Sequence, residues 1–106
     1  MKDKQKIFQL LGLATRARMV VTGEDLAIRE VQNGKAQLVI VSNDASANTM
    51  KKVTDKCTFF NVEKHVFGSR EDLGHAIGKE SRVILAITDA GFAKKLSELL
   101  NEYNRG

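Results

Sequence analysis

The sequence contains no proline and no tryptophan, and it holds a single cysteine. Without proline there can be no proline-rich recognition segments and no cis-proline turns. The lone thiol, Cys57, cannot close an internal disulfide and fits a reducing cytoplasm. Long apolar runs are also missing. Nothing approaches the ~18 consecutive apolar residues of a membrane span, so no membrane partner is expected. The basic start, Met1 to Lys6, is not followed by a signal-peptide core and a small-residue cleavage site, so secretion is not expected either. Linkers, internal repeats and low-complexity tracts are absent. What remains is 106 residues, 42% hydrophobic and 28% charged, the make-up of one globular domain over 1–106.

The net charge of +4 is unevenly placed. Residues 1–21 carry five basic groups (Lys2, Lys4, Lys6, Arg16, Arg18) against Asp3 alone, and the other 85 residues carry 12 of each sign. A local excess of this kind attracts a phosphate backbone or an acidic surface. A solvated helix face explains it equally well, so charge alone names no partner.

Hydrophobic spacing organises the chain. Ile7, Leu10, Leu11 and Ala14 fall at i, i+3, i+4 and i+7, which predicts an amphipathic helix over 4–17. Met19–Val21 suits a very short strand. Thr22 to Asp25 has the pattern of a capping box with Thr22 as N-cap, opening a helix that buries Ala27, Ile28 and Val31 and stops at Asn33-Gly34. The β-branched run 37–41 predicts a strand covered on both faces. Ser46 is placed to cap a helix over 47–57 that carries Met50 and Val53 inward. A strand is placed around 64–67, and Ser69 to Asp72 forms a second capping box for a short helix ending at Gly78. Val83–Ile87 is the strongest strand signal. Phe92, Leu96, Leu99, Leu100 and Tyr103 recur at helical spacing in a last helix from about 90. Helices alternating with buried strands predict a three-layer α/β/α sandwich around a mixed sheet of about four strands, with one short edge strand allowed to run antiparallel.

Enzyme chemistry finds no constellation. Gly78-Lys79-Glu80-Ser81 looks like the tail of a phosphate-binding loop. However, three residues rather than four separate Gly74 from Gly78, and Glu80 stands where a Ser or Thr must follow the lysine. One Cys and two His show no metal-ligand spacing, so neither a metal nor another cofactor is expected. His75 reads as a surface residue or a core residue with a satisfied hydrogen bond. A Cys57–His65 nucleophilic pair is conceivable, but no neighbouring sequence supports it. Three loops are more suggestive: Thr22–Asp25, Ser42–Ser46 and Gly78–Arg82 should share one edge of the sandwich, beyond the strand ends. Lys79 and Arg82 flank this rim, and Arg29, one helical turn after Asp25, projects near it. Such a rim suits a phosphate backbone with an exposed base. Ordinary turn chemistry accounts for the same residues.

These segments also carry a resemblance. Leu11-Gly12-Leu13-Ala14 with Arg16-Ala17-Arg18, Thr22-Gly23-Glu24-Asp25, the stretch 34–41, Asn43-Asp44-Ala45-Ser46-Ala47-Asn48-Thr49, Asp55-Lys56-Cys57, Leu73 to Lys79 and Asp89 to Lys95 occur in the order seen in the YlxQ-like proteins of bacteria. Over nearly the whole chain the sequence resembles that family, part of the ribosomal superfamily of the L-seven-Ae and L-thirty-e type. The resemblance implies an α/β/α sandwich without enzymatic activity that binds kink-turn RNA, a sharply bent helix with tandem sheared G·A pairs. In the superfamily a Gly-x-Asn-Glu-x-x-Lys motif meets those pairs, and here it maps onto Gly23 to Arg29. Arg29 keeps the cation and can reach guanine O6 and N7. Asp25 replaces the Asn and loses its amide donor, and Leu26 replaces the Glu and cannot accept from a base amine.

The implied RNA-binding set is Gly23, Glu24, Asp25, Arg29, Asp44 and the loop Gly78, Lys79, Glu80, Ser81 and Arg82. That loop corresponds to the family segment that packs against a flipped-out nucleotide and here carries charge where archaeal members are apolar, which implies weaker, more salt-sensitive binding. The expected partner is structured RNA, a kink-turn or ribosomal RNA, bound by a cytoplasmic monomer. The alternative is a protein-interaction adaptor on the same scaffold, with RNA binding weakened through Asp25 and Leu26 and the basic first helix as docking face.

Overall fold

The computed structural model describes residues 3–105. Lys2, one of the five cations at the amino end, lies outside the described residues. In chain order the elements are α1 (Lys4–Arg16), β1 (Val20–Thr22), α2 (Glu24–Gln32), β2 (Leu38–Val41), α3 (Ala47–Phe59), β3 (Glu63–Val66), α4 (Arg70–Ala76), β4 (Ile84–Ile87) and α5 (Ala90–Asn104).

Local chemistry sets most of these boundaries. Asp3, Ser46 and Asp89 cap α1, α3 and α5, each side chain accepting from a backbone N–H three residues on. Ser69 and Asp72 form the expected reciprocal capping box at α4. Gly34 and Gly78 follow α2 and α4 at φ +78° and +73°, the left-handed exit that glycine takes without strain.

The capping box expected at Thr22 does not form. Thr22 belongs to β1, opposite Leu85, and its hydroxyl donates to the Ile84 carbonyl at 2.9 Å. Gly23 is the N-cap of α2, at φ +98° and without a side-chain bond. Sheet pairing overrides the local motif because it places Thr22 opposite Leu85 and gives its hydroxyl a carbonyl partner. Asp25 is thereby left exposed at the start of α2, unconstrained by any capping role.

The sheet order is β1-β4-β2-β3. Strands β2 and β3 are parallel, whereas β4 is antiparallel to both β1 and β2. The one reversed strand is therefore interior, not at an edge as expected. Hydrophobic pattern reports burial on two faces but carries no information on strand direction. Alternation along β2 and β4 explains the two half-cores. Leu38, Ile40, Leu85 and Ile87 face α1, α4 and α5 through Ile7, Leu11, Leu73, Leu96 and Leu100. Val39, Val41, Ile84 and Ala86 face α2 and α3 through Ala27, Ile28, Val31, Val53 and Cys57. This is the three-layer sandwich the sequence predicts, with three helices on one face and two on the other. Strands β1, β2 and β3 point the same way, so the loops following them open at one end, together with the loop from α4 into β4.

Candidate nucleic-acid interface

The three loops singled out by sequence do converge. Gly23 and Glu24, Ser46 and Thr49, and Ser81 and Arg82 line one cleft of about 300 Å³, closed at the side by Arg70 and floored by Val83 and Ile84. Its position beyond the carboxyl ends of parallel strands is where α/β sheets hold ligands.

Each wall is held by a long-range contact. The Glu24 carboxylate accepts from the Thr49 hydroxyl at 2.7 Å and from Lys52 Nζ at 3.3 Å, tying α2 to α3. The Thr49 hydroxyl first, and Lys52 second, hold its carboxyl below the ordinary carboxylate value. Across the cleft, Arg70 Nη2 donates to the Asp44 carbonyl at 2.6 Å, and the Arg70 backbone N–H donates to the Asp44 carboxylate at 3.2 Å. Asp44 is held low as well, by the Ser42 hydroxyl first and then by Arg70. The buried Ser42 hydroxyl has no hydrogen bond of good geometry among the described residues, so it acts on Asp44 as a nearby dipole and not as a formed bond. Arg82 donates its backbone N–H to the Arg70 carbonyl at 2.9 Å, which joins the third loop to the second.

Both depressed carboxylates stabilise the folded chain at neutral pH. That contribution is complete above their unfolded values and fades as pH falls through the folded ones, from about pH 5 downward. The Asp44→Asn variant should therefore melt below the parent at pH 7, and the gap should close on acidification. Melting curves at pH 7, 5 and 3 check this, and a gap that stays constant would remove Asp44 from the ledger of acid lability.

Not every candidate residue joins the cleft. Asp25 and Arg29 are exposed on α2 beside it, and the Arg29 guanidinium has no partner among the described residues. Gly78 shapes the exit from α4 but does not line the cleft. Lys79 and Glu80 turn to the other side of their loop, into a larger hollow of about 600 Å³ under α1. That hollow also presents Glu71 and Asp72, so its carboxylates would repel a phosphate and the smaller cleft is the better anion site.

Two residues that shape the site are not among the candidates the sequence offers. Arg70 organises two loops through Asp44, 26 residues away, a distance that leaves no local signal. Gly74 lies inside α4, where a Cβ would stand 1.6 Å from the Glu80 carbonyl oxygen. The loop lies directly on the helix backbone there, and Lys79 donates its N–H to the Gly74 carbonyl at 2.8 Å. A glycine inside a helical pattern is a usable signal for such close approach.

The enzyme candidates are separated by the fold. Cys57 packs with Val39 and Val41 on the α2–α3 face, and burial pushes its thiol up. His65 pairs in register with Ile40, whose side chain is on the opposite face, so the two cannot form a nucleophilic pair. His65 Nε2 instead lies 2.6 Å from Glu63. The Ser97 hydroxyl donates to that same carboxylate, so His65 and Ser97 meet only through Glu63. His75 is exposed. Among the described residues no group of three or more His, Cys, Asp or Glu is arranged to hold a metal ion.

A three-layer sandwich with an interior reversed strand and a loop-lined cleft at one end defines a small ribosomal-type α/β/α domain. The chain belongs to the ribosomal protein L7Ae/L30e/S12e/Gadd45 family, whose model matches residues 5–97. It is 57% identical over 94 residues to a Bacillus subtilis protein named RNA-binding protein YlxQ, covering 89% of this chain and 94% of that protein. It is 45% identical to the Enterococcus faecium protein of the same name, covering 92% and 94% of the two chains. A solved structure of a Bacillus halodurans protein of unknown function shares 48% identity and a TM-score of 0.89, over 91% of this chain and 97% of that one. A Giardia lamblia 15.5 kD RNA binding protein superposes with a TM-score of 0.81 over 95% of this chain and 87% of its own, at 20% identity, a likeness of fold. The Bacillus subtilis and Enterococcus faecium relatives are named as RNA-binding proteins, not enzymes. Among the described residues no helix is long and apolar enough to cross a membrane.

Proposed function

We propose that the chain is a non-enzymatic RNA-binding protein that recognises a kink-turn or a similarly bent structured RNA, ribosomal RNA included. It acts as one domain over 1–106 and as a monomer in the cytoplasm. The observation that carries this reading is the convergence of three sequence-distant loops on one cleft that offers cations at Arg70 and Arg82. Family membership and the YlxQ relatives, named as RNA-binding, support it.

In this reading phosphates are drawn to Arg70, Arg82 and the amides opening α2, and Lys79 adds charge from the far side of the loop. Arg29 stands beside the cleft, its guanidinium without a partner among the described residues, so it is the group available to a guanine edge. Leu26, one helical turn before Arg29, is 53% exposed and offers a base an apolar surface but no acceptor for its amine.

The test is a titration against a kink-turn RNA and a matched RNA with its G·A pairs replaced, at two salt concentrations. The protein should prefer the kink-turn at both. Arg29→Ala should cost about 1–3 kcal/mol and blunt that preference. Equal, steeply salt-dependent binding of both RNAs would instead favour the adaptor. One observation speaks for that second reading: Leu13, 48% exposed, shares a groove with Leu10 and Leu99 between α1 and α5, rimmed by Lys6 and Lys95.

A further inference from the structure

Phe59 at the end of α3 is 79% exposed, the most exposed large hydrophobic side chain among the described residues. It belongs to neither half-core, so folding does not require it. Its ring meets that of Phe60 edge-on, with centroids 4.9 Å apart and planes at 77°, which holds one face of a rigid pair toward solvent.

The position of Phe59 on its helix matters as much as its exposure. Thr49, Lys52, Lys56 and Phe59 follow one another at steps of three, four and three residues, so they share one flank of α3. The flank begins inside the cleft, where Thr49 lines the wall and Lys52 reaches Glu24. It rises ten residues, about 15 Å, to Phe59 at the opposite end of the sandwich. Its charges favour an anion. Lys56 has no ion pair among the described residues, Glu24 is already matched by Thr49 and Lys52, and Asp55 is tied to Lys51 at 2.9 Å. A cationic track ending in an aromatic face is how proteins hold unpaired nucleic acid, because every base has a π-face to stack.

We propose that this flank of α3 is a second nucleic-acid contact, along which an unpaired strand leaving the cleft passes Lys52 and Lys56 and stacks a base on Phe59. The contact rests on the reading of the cleft as an RNA site. It extends that site from a bent duplex to a duplex with a single-stranded end, and it adds affinity without sequence preference.

The experiment compares a kink-turn RNA with two versions of it, each carrying about six unpaired nucleotides on one strand end, within the span such platforms take. The wild-type protein should bind one extended RNA about tenfold more tightly than the unextended one. Phe59→Ala should abolish that gain while leaving affinity for the unextended RNA and the melting temperature unchanged, and Phe59→Trp should restore it. Lys56→Gln should remove part of the gain, with the loss shrinking at high salt. No gain from either extension, or the same gain in Phe59→Ala, overturns the proposal and leaves the cleft reading intact. Concentration-dependent self-association that Phe59→Ala abolishes, with no gain from extension, would mean a contact between copies of the chain and also overturns it. Failure of the unextended RNA to bind the wild-type protein overturns the cleft reading instead.

Discussion

Replacing Gly74 by Ala should lower the melting temperature by roughly 10 °C, although alanine is the better helix former. Two effects oppose each other. In an open helix the substitution would stabilise by about 1 kcal/mol, because glycine gives up more backbone entropy on folding. Here the new methyl would sit 1.6 Å from the Glu80 carbonyl oxygen and 2.9 Å from the Ser81 Cα, both backbone atoms. No side chain can swing aside, so the whole loop 78–82 must move. Overpacking of this kind costs about 1–3 kcal/mol, and rigid backbone on both sides puts the cost at or above the upper end. A net loss of about 2 kcal/mol in a domain of this size corresponds to that shift in melting temperature. The displaced loop carries Ser81 and Arg82 out of the cleft, so RNA affinity should fall together with stability. Gly78→Ala is the control: nothing lies within 4 Å of its Cβ, and only the strain of φ +73° remains, about 1–2 kcal/mol. Equal melting temperatures for Gly74→Ala and the parent would show that the loop does not rest on α4 in solution.

Reversing the charge of Arg82 should do the opposite, removing binding and sparing the fold. Among the described residues the Arg82 guanidinium donates only to the neighbouring Ser81 carbonyl, at 2.9 Å, and bridges no other element. Its loss should change stability by less than about 0.5 kcal/mol. In the cleft, Arg82→Glu exchanges an attractive charge for a repulsive one beside phosphate. Affinity for structured RNA should drop at least tenfold at low salt, and the salt dependence should become shallower by about one phosphate contact. Arg70→Ala should differ in kind, since Arg70 also holds Asp44, and stability and affinity should decline together. A melting curve and a titration on each variant separate the two. Unchanged affinity in Arg82→Glu would place the phosphate path outside the cleft.

How far the sequence could be read varies with the range of the interactions involved. Helix starts at Ser46 and Ser69 and exits at Gly34 and Gly78 were legible because their physics is complete within four residues. The buried runs at Leu38–Val41 and Ile84–Ile87 were legible because burial on both faces leaves a continuous apolar signature. Thr22 misled because the same residue that can cap a helix can also end a strand, and its partner Ile84 is 62 positions away. The direction of β4 left no trace at all. In the candidate site, the three loops were legible from their turn chemistry, whereas the ties between them were not. Arg70 to Asp44 and Glu24 to Thr49 and Lys52 are contacts between segments that only the finished sheet brings together. Lys79 and Glu80 read as rim residues from their position next to Gly78, yet where the loop lies against Gly74 they face its far side.

The interior placement of β4 also sets an order of events as the chain is made. Strand β1 has a single neighbour, β4, and the Val20 to Ile87 pairing closes over more than half the length of the protein. When β2, α3 and β3 have emerged they can already pair, since β2 and β3 lie side by side. β1 must wait with both edges bare until residues 84–87 arrive and slot between it and β2. Long-range closure of this kind is slow compared with local pairing. A nascent chain halted before Val83 could therefore seat α1 on α4 but would hold β1 unpaired, and its binding cleft would lack the floor that Val83 and Ile84 form.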